Sequence, residues 1–308
     1  MDWGECALQL KDLSATIERR PGLLAWILIL PAAAVIGAVI LYPVLATFWL
    51  SLRDYSLIYP WRSRFIGLGN YVDFFKDPNF WAAIGRTAYF TFVSVGIELV
   101  LGIGVAILLN MKLPGWKVLR TLLIVPWAVP TIVNGVMWKW IYNAEFGALN
   151  GLLYSLGLID RYRAWLSEPF TAMNLVIVAD VWHSVPFIAI IIMAALATIP
   201  EDLYEAARID GATRIQTFSR LTLPLLRPAI TIALVIRTVE AFKVFDIIYI
   251  ITGGGPANGT QVISYLTYLE SFSYLNMGRG AALSFIVSLF ILALTLLYIR
   301  LLRSEEVA

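Results

Sequence analysis

Six stretches of this chain are long and apolar enough to cross a lipid bilayer, and they constrain the fold more than any other feature. They cover residues 23–50, 87–109, 121–142, 174–197, 229–251 and 280–299. A hydrocarbon core takes about 20 mainly apolar residues in helical form. Within it every backbone N–H and C=O must be satisfied inside the segment, so stretches of this length are helices. The first and last carry no charge, whereas the fifth carries Arg237, Glu240, Lys243 and Asp246. Composition agrees: 60% of the residues are hydrophobic and 14% charged, against about 45–50% and about 25% in soluble domains. One soluble core of this size cannot hide that excess, which excludes a soluble enzyme, a disordered regulator and a nucleic-acid binder. The net charge of +2 calls for no polyanionic partner. A lone cysteine, Cys6, allows no internal disulfide, and a lone histidine, His183, no multi-histidine metal site. The expected fold class is an all-α integral membrane protein with six transmembrane helices and no metal.

An even number of spans places both termini on one side. The Lys and Arg outside the spans are more numerous on the terminal side, which predicts cytoplasmic termini. The expected organisation is a cytoplasmic or interfacial segment over 1–22 and one six-helix transmembrane domain over 23–303. That domain has an external loop over 53–86 and an internal loop over 198–228. Pro31, Pro43, Pro126, Pro130 and Pro186 fall inside spans, where neighbouring helices can satisfy the freed backbone groups, so they read as bends.

The internal loop, IPEDLYEAARIDGATRIQTFSRLTLPLLRP, opens like a helix. Pro200 suits the first helical position, where its missing N–H is harmless. Glu201, Asp202 and Glu205 load the amino end with negative charge, and Arg208 lies toward the carboxyl end, both favourable to the helix dipole. Leu203, Tyr204 and Ala207 form a small apolar stripe at helical spacing. Gly211 can adopt a left-handed conformation and end the helix. A second short helix is expected over 213–220, with Pro224 and Pro228 resetting direction before the next span. The product is a stiff helix–turn–helix shaped for docking into a groove on another protein, although an ordinary solvated hairpin has the same composition.

Spacing separates those readings. Glu205-Ala206-Ala207, three residues, Gly211, nine residues, Leu221, one residue and Leu223-Pro224 resemble the EAA loop of binding-protein-dependent ABC importer permeases, with Leu221 where that pattern has Ile. External Phe65-Ile66-Gly67-Leu68-Gly69-Asn70-Tyr71 and Thr252-Gly253-Gly254-Gly255-Pro256 resemble marks of the carbohydrate-uptake group, the maltose, trehalose and glycerol-phosphate type. The resemblance implies a subunit that forms half of a sugar pathway by alternating access, in a bacterial or archaeal inner membrane. It implies a coupling surface made by Glu201, Leu203, Tyr204, Glu205, Ala206, Ala207, Asp210 and Gly211. The implied partners are a second homologous permease, two ATP-binding subunits or a homodimer of them, and an extracytoplasmic sugar-binding protein. ATP and Mg belong to the ATPase partner, since no Gly-Lys dipeptide, and so no phosphate-cradling G-x-x-x-x-G-K loop, occurs here.

Polar residues inside spans mark partners or wet cavities, because a charge at mid-membrane costs about 2.5–3.5 kcal/mol on insertion scales. In the fourth span Asp180, His183, Ser184 and Phe187 fall at i, i+3, i+4 and i+7 on one face. They offer the hydroxyl-binding groups and the aromatic face that a sugar needs. In the fifth, steps of three turn the helix back by about 60°, so Arg237 and Asp246 are expected to face opposite sides. Arg237 and Glu240 read as pathway residues, and Lys243 and Asp246 equally well as a packing ion-pair ladder. Resemblance to the maltose-type permease adds Ala241 and Val244 to the pathway. Two rivals compete: an ion-coupled secondary sugar transporter, which should show inverted repeats, and a membrane glycosyltransferase using Asp180 and His183. Neither accounts for the 198–228 loop.

Overall fold

The computed structural model describes residues 21–111 and 115–303. Residues 1–20 of the expected N-terminal segment, and the chain after Arg303, lie outside the described residues. The first helix, α1 (Pro21–Ile36), passes through a π turn at Gly37–Leu41 into α2 (Tyr42–Ser51). Pro43 cannot donate to the carbonyl four residues back, at Val39, and the π turn surrounds that carbonyl. A two-residue antiparallel ribbon follows, β1 (Arg53–Asp54) against β2 (Arg64–Phe65). Asn70, in α3 (Gly69–Lys76), pins it: its buried amide donates to the carbonyls of Ser51 and Arg53 at 2.8 and 2.9 Å.

The long helix α4 (Pro78–Asn110) starts well before its apolar stretch. Asp77 caps it, accepting from the Asn79 N–H at 2.9 Å, the placement that serves an orphan donor of the first turn. Part of the expected external loop is therefore helix. Next come α5 (Trp116–Ala128), α6 (Thr131–Ile141), α7 (Ala148–Ser155) and α8 (Pro169–Leu196). After them lie α9 (Glu201–Ile209), α10 (Arg214–Thr217), a π turn at Phe218–Thr222, α11 (Leu223–Phe242) and α12 (Asp246–Ile251). The described chain ends with α13 (Ile263–Tyr268), a π turn at Leu269–Ser273 and α14 (Met277–Arg303).

Among the described residues, five helices are long and apolar enough to cross a membrane, and six spans result if α5 and α6 count as one broken span. The all-α membrane class expected from hydropathy stands, with three corrections of detail. Pro130 is a break and not a bend. Val129 and Pro130 are extended, and the two halves meet at 93°, because a residue before proline is pushed out of the helical region. The fifth stretch stops at Phe242 and resumes at Asp246. Pro224 and Pro228 do not reset direction: Arg214–Phe242 is one long helix. Pro224 would have bonded the carbonyl of Arg220, which lies within the π turn, the arrangement already seen at Pro43.

The core forms where α8 packs on α4, with α11 against both. Phe90, Val176, Ile177, Ile188 and Ile192 are fully or almost fully buried there. The helices approach closely at Gly102, where a Cβ would come within 2.6 Å of Ile188 Cγ2. Small residues allow such contacts between membrane helices. Gly102→Ala is therefore expected to destabilise by about 1–3 kcal/mol through overpacking, outweighing the roughly 0.5–1 kcal/mol that Ala gains over Gly in a helix. Gly104→Ala, with nothing within 4 Å of its Cβ, should be neutral or stabilising. Thermal unfolding of the two variants in detergent checks the pair.

Candidate functional site: a charged cleft and an exposed elbow

The break after Phe242 builds the site. Lys243 (φ −99°, ψ 17°) leaves helical geometry, Phe245 (φ −141°, ψ −59°) turns the chain, and α12 sets off afresh from Asp246. Arg237 and Asp246, expected on opposite sides of one helix, consequently line the same cleft of about 470 Å³. Its wall on α8 is the predicted stripe of Asp180, His183, Ser184 and Phe187. Arg237, Glu240, Lys243 and Val244 come from the end of α11 and the break. Ala241 is the exception: it is buried in the core with Phe90, Val95 and Ile248, and does not line the cleft. It points the other way because it lies one residue after Glu240, about 100° further round the helix.

The pairing within this group differs from a simple ladder. The Arg237 guanidinium binds Glu98 in a fork, Nε to Oε2 at 2.7 Å and Nη2 to Oε1 at 2.9 Å. It also reaches Asp180 at 3.1 Å and Glu240 at 2.8 Å. One cation thus serves three carboxylates. Glu98 is fully buried, Arg237 and Asp180 are nearly so, and the Glu240 side chain is half exposed. Arg237 therefore acts as a brace tying α4, α8 and α11, with most of its donors already used. Lys243 and Asp246 have no opposite charge within ion-pair distance among the described residues, so the packing ladder expected for them does not form. Both stay exposed at the cleft.

The α5–α6 break contributes the opposite wall. Pro130 has no N–H to give to the carbonyl of Pro126, four residues back. That carbonyl lies 2.9 Å from His183 Nδ1. A carbonyl only accepts, so the Nδ1 carries the proton. Trp127 and Thr131 flank the break and line the cleft, and the Trp127 ring lies 5.9 Å from that of Phe187. Sequence reading did not single out Trp127, Thr131 or Phe245. A tryptophan between two prolines at a span interior was the available signal for the first.

The second feature is the elbow at α9. Gly211 (φ +77°) ends the helix with a Schellman arrangement. Ala212 N–H donates to the Ala207 carbonyl at 2.9 Å, and Gly211 N–H to that of Arg208 at 3.1 Å. Thr213 and Gln216 then form a reciprocal capping box that starts α10. Glu201, Leu203, Glu205, Ala206, Asp210 and Gly211 are exposed. Ala207 is half-buried, and Tyr204 turns inward, its hydroxyl 3.3 Å from Thr222 Oγ1. Ile209 and Ile215, 86% and 79% exposed, flank the turn as bare apolar knobs that sequence reading passed over. Between the elbow and the ends of α4 and α8 lies a hollow of about 580 Å³, lined by Asn110, Leu196, Tyr204 and Phe218 among others.

The profile of the binding-protein-dependent transport system inner membrane component family matches residues 98–304, two thirds of the chain. The chain belongs to this family. The permease is 41% identical to the trehalose/maltose transport system permease protein MalF of Thermococcus litoralis, over 94% of its own length and 97% of the relative's. It is 36% identical to the sulfoquinovosyl glycerol transport system permease protein SmoG of Agrobacterium fabrum, over 92% of each chain. To the trehalose transport system permease protein SugA of Mycobacterium tuberculosis it is also 36% identical, over 94% and 90%. Among solved structures, a subunit of a bacterial alginate ABC transporter shares the fold at a TM-score of 0.82 and 23% identity, covering 96% of the permease and 98% of that chain. The matched region contains the cleft residues, Glu98 and the elbow alike.

Proposed function

We propose that the permease forms half of the translocation pathway of an ATP-driven sugar importer, with a neutral di- or oligosaccharide such as trehalose or maltose as cargo. The single observation that carries the reading is the cleft. Polar groups on α8 and α11 and the rings of Phe187 and Trp127 converge there in a chain that is 41% identical to a trehalose/maltose permease. Such a mix recognises both the hydroxyls and the apolar face of a sugar ring. Two permeases, a second one being homologous, would enclose the path. Two ATP-binding subunits would sit below, one holding the elbow through Glu205 and its neighbours, and a binding protein would deliver sugar from outside. ATP would drive the outward-facing state by binding it more tightly than the inward-facing one. Both termini would lie in the cytoplasm.

Reconstitution of the whole complex in proteoliposomes tests the reading. ATP-dependent accumulation of trehalose or maltose that requires the binding protein is expected; accumulation driven by an ion gradient without ATP would sink it. Lys243→Met and Asp246→Asn probe the cleft. Neither side chain is ion-paired among the described residues, so thermal stability should shift by no more than about 0.5 kcal/mol. Each loses a charged hydrogen-bonding group facing the cargo, so KM for uptake should rise by about tenfold.

A further inference from the structure

Phe245 is a wall shared by two hollows. On one side lies the charged cleft, and on the other a second hollow of about 380 Å³ between α2, α13 and the start of α14. Their chemistry differs. Among the described residues, five charged side chains line the cleft and none lines the second hollow. Instead, Ser264, Thr267, Tyr268, Ser271 and Phe272 follow i, i+3, i+4, i+7 and i+8, one face of α13 and its π turn, and all five line it.

The rings form a continuous row. Tyr268 lies 5.1 Å from Phe245, and Phe272 lies 5.6 Å from Tyr268, centroid to centroid. Phe272 is 66% exposed, so the row runs from the surface to the edge of the cleft. The hydroxyls are partly committed. Thr267 Oγ1 donates to the Ile263 carbonyl at 2.9 Å, and Thr47 Oγ1, on the facing helix, to that of Pro43 at 2.8 Å. A hydroxyl whose proton is committed still offers oxygen lone pairs to incoming O–H donors.

Resting on the sugar-importer reading above, we propose that this hollow is a second saccharide subsite, holding an uncharged pyranose unit on the outer side of the cleft. Its rings match the apolar face of the sugar, and its hydroxyl oxygens match the sugar's O–H groups. A carboxylate, phosphate or ammonium placed there would be desolvated with no counter-charge, so the subsite selects neutral rings.

The experiment uses the complete complex in proteoliposomes. Cys6→Ser leaves no cysteine in the permease, and Ser264→Cys then adds a single reporter thiol in the hollow. With trehalose at about ten times its apparent KM, a neutral thiol reagent should react about tenfold more slowly than without sugar. Equal rates with and without trehalose overturn the subsite. Should the Ser264→Cys complex not assemble, Tyr268 decides. Tyr268→Leu is expected to cut uptake at low sugar by up to about tenfold, and Tyr268→Phe, which keeps the ring, to restore most of it. Wild-type uptake in both overturns the subsite. If the wild-type complex imports no sugar with ATP, the importer reading fails and the subsite with it; a competent Cys6→Ser parent with an unprotected thiol sinks the subsite alone, and an inactive one leaves the decision to the Tyr268 variants.

Discussion

Arg237→Met is expected to cost the permease about 3–5 kcal/mol, the usual result of removing one partner from a buried ion pair. The geometry explains the size. Glu98 is fully buried and its two oxygens take two of the guanidinium donors at 2.7 and 2.9 Å. Without Arg237 that carboxylate loses its counter-charge in the middle of the α4–α8–α11 core, and Asp180 and Glu240 lose theirs beside it. Glu98→Gln should cost less, about 1.5–3 kcal/mol, because a charged hydrogen bond weakens while Asp180 and Glu240 still hold the guanidinium. The double variant Glu98→Met with Arg237→Met should recover only part of the loss, since the fully buried Glu98 charge goes with its partner while the nearly buried Asp180 still lacks its cation. Thermal unfolding in detergent and the yield of extractable protein measure all three. An Arg237→Met variant as stable as the wild type would remove the brace from this account.

Glu205→Lys should leave folding untouched and stop transport. Glu205 is exposed on α9 and its side chain makes no hydrogen bond or ion pair among the described residues, and surface changes of that kind shift stability by about 0.5 kcal/mol or less. If the elbow seats in an ATPase subunit through this carboxylate, reversing its charge puts like charge against the basic groups expected there. Losing a close interfacial charge pair costs about 2–5 kcal/mol, so ATP-driven uptake should fall by about 30-fold or more. The ATPase subunits should also co-purify with the variant in lower yield, while its unfolding temperature stays that of the wild type. Undiminished uptake would detach Glu205 from coupling.

The contrast between these two variants follows what each residue touches. Both are charges in helices, yet one is a buried brace and the other an exposed handle. The turn of the elbow was legible, because helix punctuation acts within a turn, whereas the expected short helix over 213–220 instead runs on to Phe242. Gly211 takes the left-handed position that ends α9, as expected, although Pro200 is extended and stands one residue before the first helical position, and the Thr213–Gln216 capping box emerged only in the structure. The α8 stripe was legible for the same reason, since Asp180, His183, Ser184 and Phe187 share a face wherever that helix lies. Lys243 and Asp246 were not. Nothing in Ala241-Phe242-Lys243-Val244-Phe245 announces a helix end, with neither proline nor glycine present.

Apolar length, helix caps and same-face spacing are properties of neighbours along the chain, so the sequence by itself determined the membrane class, the elbow and the α8 wall of the cleft. The tertiary structure decided where α11 stops: Phe245 seats its ring against Tyr265 and Tyr268 of α13, contacts about 20 residues away along the chain that have no local signature. That packing overrides the helical continuation, turns Asp246 back toward Arg237 and leaves Ala241 in the core. A contact between distant segments is an energy of the folded chain, and no short window of residues contains it.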